Sequence, residues 1–116
     1  MKLLTYQYKF FGPRAGMKLD DEVLDLTVLL NCCSSPISDI GALLRRFDDP
    51  VAAIQAALHS GAKQETLPLC EVSLCPPILH PASLRDSSLF EAHSNGTSKS
   101  TGHTTPTIWY ERPIYF

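Results

Sequence analysis

An aspartate and a histidine seven residues apart, Asp86 and His93, are the best-placed pair for chemistry in this chain. They lie in the segment Ser83-Leu84-Arg85-Asp86-Ser87-Ser88-Leu89-Phe90-Glu91-Ala92-His93, between a proline-rich stretch and one rich in Ser, Thr and Gly. Catalytic groups are often carried on such rims. Asp86 is a hard oxygen ligand of the kind Mg²⁺ or Ca²⁺ prefers. Read as a short helix, the segment puts His93 two turns beyond Asp86 on the same face, about 10 Å along the axis. A carboxylate holding a cation and an imidazole would then flank a substrate. Glu91 does not share that face. Composition alone does not separate this arrangement from a solvated helix.

Other reactive side chains form weaker patterns. Cys70, Cys75 and His80 have a loosely zinc-like spacing, but there is no Cys-x-x-Cys and no fourth ligand nearby, so idle or buried cysteines are expected. Cys32-Cys33 reads as a pair of small apolar residues, and Cys33 has no local histidine to activate it. His59 falls near the end of a helix, where an imidazolium suits the dipole and a capping role is expected. His103 lies in the Ser/Thr/Gly-rich stretch with no role assigned by its neighbours. Gly12, Gly16, Gly41 and Gly61 are scattered and make no phosphate loop. The sequon Asn95-Gly96-Thr97 reads as a turn.

The positioning elements must fit into 116 residues, room for a small domain and the start of a second. Hydrophobic residues make up 44% and charged residues 19%, which argues for a globular chain. A net charge of −2 and a pI near 6.0 leave no basic stripe, so neither nucleic acid nor an anionic membrane is an expected partner. No run approaches the roughly 20 apolar residues of a membrane span. The opening residues, Met1 to Tyr8, lack the apolar core of a signal peptide, so a cytoplasmic location with reduced cysteines is expected.

Lys2 to Tyr8, Arg14 to Leu19 and Val23 to Leu26 alternate as strands, with turns at Phe11-Gly12-Pro13 and Asp20-Asp21-Glu22, and predict a small β-meander. Ile37, Ile40, Leu43, Leu44 and Phe47 fall at helical spacing, with Ser35 or Ser38 as the cap. A second helix starts at Asp49-Pro50 and stops at Gly61, with Val51, Ile54, Ala57 and Leu58 on its apolar face. Leu69 to Leu74 alternates as a strand and runs into Cys75-Pro76-Pro77. Pro76, Pro77 and Pro81 predict an extended linker. Ser94 to Thr107 predicts a mobile loop, and Pro113 to Phe116 a strand. The fold class expected is therefore α+β: an amino-terminal domain over residues 1–74, a meander with two packed helices and a core from Leu3, Val23, Leu26, Leu43, Ile54 and Leu58. Residues 75–116 would be linker, motif helix, flexible loop and first strand of an incomplete, β-rich catalytic domain.

The motif segment resembles that of the fumarylacetoacetate hydrolase family, where a proline-rich linker leads into Arg-Asp-Phe-Tyr-Ala-Phe-Glu-x-His. Arg85, Asp86, Phe90, Glu91 and His93 match it. Members commonly open with Met-Lys-Leu-x-Thr-Tyr, then a glycine-containing strand, then Val-x-Asp-Leu-Thr. Here these are Met1-Lys2-Leu3-Leu4-Thr5-Tyr6, Arg14-Ala15-Gly16 and Val23-Leu24-Asp25-Leu26-Thr27. Trp109-Tyr110-Glu111-Arg112-Pro113 is similar to the segment that leads into the family's first core strand. The likeness runs in family order across almost the whole chain. It departs at Ser87-Ser88, which replaces Phe-Tyr and removes an aromatic wall and a phenol.

The resemblance implies a metal-dependent hydrolase of carbon–carbon bonds in acylpyruvate or β-diketo acids, with isomerases, hydratases and decarboxylases among the relatives. Asp86 would be a ligand of Mg²⁺ or Ca²⁺, the ion a Lewis acid toward the oxo-acid substrate, and His93 the base that activates water. The family's other metal carboxylates, a Glu-x-Glu pair and a later Asp, belong to a carboxyl-terminal catalytic domain. That domain would have to act in cis or in trans, because one Asp cannot satisfy a cation that takes six oxygens. The alternative is a non-catalytic accessory or dimerisation domain, exposing Ile108, Trp109, Ile114, Tyr115 and Phe116 to a partner or a second copy.

Overall fold

A computed structural model describes residues 1–86 and 90–112. It divides into two compact units, Met1–Pro81 and Ala82–Phe116. The first is α+β. Strands β1 (Leu3–Gln7), β2 (Arg14–Leu19) and β3 (Glu22–Asp25) form the expected antiparallel meander, with Leu4 opposite Gly16 and Gly16 opposite Asp25. β4 (Thr66–Pro68) joins β3 and β5 (Ser73–Cys75) joins β1, giving the order β4-β3-β2-β1-β5. Both edge strands are three residues long and are closed by proline: Pro68 ends β4, and Pro76 follows β5. The strand expected over Leu69 to Leu74 is broken, since Leu69–Glu71 makes a 3₁₀ turn. The Leu69 N–H bonds Asp21 O, which turns the chain out of β4 before it can run on.

Alternation along the strands sends Ala15, Met17 and Leu24 to one face, where they pack with Leu26, Leu29, Ile37, Leu43 and Ile54. Of the expected core, Val23, Leu26, Leu43 and Ile54 are fully buried, while Leu3 and Leu58 pack against it partly exposed. The third strand stops a residue early because Leu26 opens a short helix, α1 (Leu26–Leu29). Asp25 caps it, its Oδ1 accepting from the N–H groups of Thr27 (2.7 Å) and Val28 (3.2 Å).

Helix α2 (Ile40–Arg46) is capped by Asp39 rather than by Ser35 or Ser38. The Asp39 carboxylate is buried and bonds the N–H groups of Ala42 (2.6 Å) and, forty residues on, Leu79 (2.8 Å). A cap that also fixes a distant segment outcompetes a serine that does neither. Leu44, expected inward, is exposed. Helix α3 (Pro50–His59) matches its signals: Asp49 Oδ1 accepts from Ala52 N, Pro50 is in the first turn, and Gly61 follows at φ +70°. Ile54 is buried and Val51 exposed. Residues 76–81, expected to be a linker, are bonded to the first unit: Pro77 O accepts from Thr5 Oγ1 (2.7 Å) and Ile40 N (3.1 Å).

The second unit contains α4 (Glu91–Ser100) and α5 (Ile108–Glu111). The expected mobile loop from Ser94 is therefore helical to Ser100, and the sequon Asn95-Gly96-Thr97 lies in the helix rather than a turn. Its hydroxyls do not unwind it because they bond back along it, Thr97 Oγ1 to His93 O (3.0 Å) and Ser100 Oγ to Thr97 O (2.8 Å). Gly102, at φ +73°, ends it: His103 N bonds Ser98 O, and Gly102 N bonds Lys99 O, the paired reversal of a Schellman cap. The strand expected at Pro113 to Phe116 lies outside the described residues.

Candidate functional site

The helix expected over Ser83 to His93 is not present. Ser83 to Asp86 and Phe90 are non-helical, and α4 begins at Glu91. Asp86 and His93 therefore do not share a helical face. Phe90 stands at the N-cap and offers no side-chain acceptor to the first turn. Asp86 and His93 are both exposed, and among the described residues neither side chain makes a hydrogen bond or an ion pair.

Glu91 opens α4, where a carboxylate suits the helix dipole, and its Oε1 accepts from the Tyr110 hydroxyl at 2.9 Å. That carboxylate raises the Tyr110 hydroxyl above its ordinary range. The Trp109 and Tyr110 rings meet edge to face, 4.9 Å between centroids. Thr105 closes the segment onto α4 by donating to Asn95 Oδ1 at 2.7 Å. Glu91, Tyr110 and Thr105 thus give the second unit internal bonds, and the motif's Asp86 and His93 take no part in them.

The remaining candidates are separate from this pair. Cys32 is buried, its Sγ on Leu30 O, whereas Cys33 and Cys70 are exposed and Cys75 is intermediate; all four are free thiols. His59 Nδ1 lies 2.6 Å from Gln55 O in the last turn of α3, the expected capping place. Among the described residues no three His, Cys, Asp or Glu side chains gather in a way that would hold a metal ion. Asp86 alone does not fit a divalent cation, which needs further oxygens from elsewhere. No helix among the described residues is long and apolar enough to cross a membrane.

A second polar centre went unread in the sequence. In the first unit Asp25 Oδ2 accepts from the Tyr6 hydroxyl (2.8 Å) and from Arg14 NH1 (2.9 Å), while Oδ1 caps α1. Burial raises the Tyr6 hydroxyl far above its ordinary range, and the Asp25 charge raises it further. Thr27 Oγ1 accepts from Ile37 N at 3.0 Å and ties α1 to the chain before α2. Gly16 lies between Tyr6 and Asp25 on the middle strand. A Cβ there would stand 2.6 Å from Val23 Cγ1 and 3.0 Å from the Tyr6 ring. The order Tyr6, Gly16, Asp25, Thr27 is visible in the sequence, but their meeting depends on strand register.

Comparison of the chain with family models, with curated proteins and with solved structures finds no match.

Proposed function

We propose that the chain is the amino-terminal part of a fumarylacetoacetate-hydrolase-type enzyme, acting with a carboxyl-terminal catalytic domain on carbon–carbon bonds of acylpyruvate or β-diketo acids. The supporting observation is a division of labour among the motif residues. Thr5, Tyr6, Gly16, Asp25 and Thr27 each have a packing or bonding task in the first unit. The Asp86 and His93 side chains have none among the described residues, and both are open to solvent. Side chains with no structural task are the ones available to a substrate or to another domain.

In that reading the cation of the complete enzyme supplies Lewis acidity, and its further oxygen ligands come from the carboxyl-terminal domain. His93 takes a proton from water, and the resulting hydroxide attacks the ketone carbon. The carbon–carbon bond then breaks, its electron pair leaving on the enolate. The chain alone, with one carboxylate ligand, is inactive. The test follows loss of acylpyruvate enol absorbance with Mg²⁺, with the chain alone and with the carboxyl-terminal domain added. Turnover only in the mixture, lost with Asp86→Ala, supports the proposal; no turnover in the mixture refutes it.

The alternative, an accessory domain without catalytic residues, draws on exposed apolar groups of the first unit. Phe10 is fully exposed at the β1–β2 turn, and Leu74 is 65% exposed on the edge strand β5. Assembly of the mixture without turnover would favour it.

A further inference from the structure

Within Met1–Pro81, helices α1 to α3 contribute to the core on the face of the sheet that carries Ala15, Met17 and Leu24. The opposite face bears a cleft of about 400 Å³ lined by Tyr6, Tyr8, Phe11, Arg14, Glu65 and Leu67. That volume is typical of small-molecule sites, roughly 300–1,000 Å³. We propose that this cleft binds a small planar monocarboxylate with an aromatic or apolar body. The proposal is independent of the catalytic role of Asp86 and His93.

The argument rests on which polar groups in the cleft are already engaged. Asp25, at its floor, accepts from Tyr6, Arg14, Thr27 and Val28, so its charge is matched and its lone pairs are occupied. Glu65, at the rim, is paired with Lys63 at 2.5 Å. Neither carboxylate invites a second cation. Arg14 differs. Its guanidinium offers five N–H donors in a rigid fork, and among the described residues only NH1 is engaged, by Asp25. Its side chain is 30% exposed. Among the polar groups that line the cleft, the one left over is thus a cationic donor whose geometry matches a carboxylate. Tyr8, Phe11 and Leu67 supply apolar walls beside it, and Phe11, 60% exposed, has surface to cover. A ligand that places a carboxylate on Arg14 and a flat body against these walls satisfies both ends of the cleft. An organic cation would find Asp25 fully engaged and Glu65 shared with Lys63.

The test is an NMR titration of the 116-residue chain with benzoate, using benzamide and benzylammonium as the uncharged and cationic counterparts. Saturable benzoate shifts confined to the strands carrying Tyr6, Arg14, Asp25 and Leu67 are expected. Benzamide should bind more weakly and benzylammonium not at all. Arg14→Lys keeps a cation beside Asp25 but loses the fork, and should weaken benzoate roughly tenfold, about 1.4 kcal/mol. Phe11→Ala, at an exposed position that does not threaten the fold, should weaken it by a similar factor. Shifts that never saturate, that lie elsewhere, that are matched by benzylammonium, or that persist unchanged in both variants would overturn the proposal.

Discussion

The Tyr6 hydroxyl reaches the Asp25 carboxylate at 2.8 Å across the strand between them, and it does so over Gly16. β1 and β3 are not neighbours in the sheet. A ring lying across the middle strand leaves no room for a side chain beneath it. The ring that makes this bond, together with Val23 Cγ1, leaves room only for glycine on the strand between.

Gly16→Ala should destabilise the first unit by roughly 1–3 kcal/mol, the usual cost of forcing a methyl into packed surroundings. Neither Val23 Cγ1, at 2.6 Å, nor the ring can retreat easily, because both residues are buried. Urea unfolding followed by circular dichroism measures the change. An unchanged midpoint would mean that Val23 and the Tyr6 ring both move aside freely.

Tyr6 should ionise well above the ordinary tyrosine range. Because its folded pKa is raised above the ordinary 10.0, its contribution to stability is complete below pH 10. It is lost as pH rises beyond that, while the unfolded chain gives up its proton first. Absorbance at the phenolate band, paired with urea midpoints at rising alkaline pH, tests this. Tyr6→Phe should flatten the alkaline slope and cost roughly 1–3 kcal/mol at neutral pH through the donor lost to a buried carboxylate.

Asp39 should show the opposite dependence. Burial works to raise its pKa, but the N–H groups of Leu79 and Ala42, with the charges of Arg45 and His80, outweigh that and hold it below 3.8. Its stabilisation is present above that value and is lost as pH falls through the lower, folded one. Asp39→Ala removes the α2 cap and the hold on Leu79 and should cost roughly 1–3 kcal/mol at neutral pH. Urea midpoints between neutrality and pH 2 should converge for the parent and the variant. Parallel curves would show that the carboxylate's charge does not matter.

Asp86→Ala and His93→Ala should leave the melting of the isolated chain unchanged, within about 0.5 kcal/mol, as expected for exposed side chains. In the reconstituted enzyme, His93→Ala should cut turnover by roughly 10²–10⁴-fold with Mg²⁺ affinity nearly intact, and Asp86→Ala should damage both. Turnover at the parent rate in His93→Ala would remove the histidine from the mechanism.

Elements with local punctuation were legible. The meander alternates with period two, and α3 has Asp49, Pro50 and Gly61 at its ends, so neighbours in sequence carry the information. Asp39 was overlooked beside Ser38 because half of its task is a bond to Leu79, which no local pattern announces. Leu69 turns for a similar reason, its N–H being drawn to Asp21. In α4 the abundance of Ser and Thr suggested a loop, yet those hydroxyls find acceptors on the preceding turn, and Gly102 with Lys99 before it was the stop signal available. The Asp86–His93 spacing was plain as a motif, but reading it as helix geometry failed because the helix starts after Phe90.

The prolines that close both edges of the sheet limit how this protein can associate. An incoming strand could pair with only Thr66 and Leu67 of β4, or with the three residues of β5, before meeting a proline that cannot donate. Ordered stacking of one chain on the next, the route by which sheets seed fibres, has no continuous template at these two edges. Crowding of the folded protein should therefore yield side-chain contacts through Phe10 and Leu74, which salt and mild detergent reverse, rather than filaments that grow from their ends.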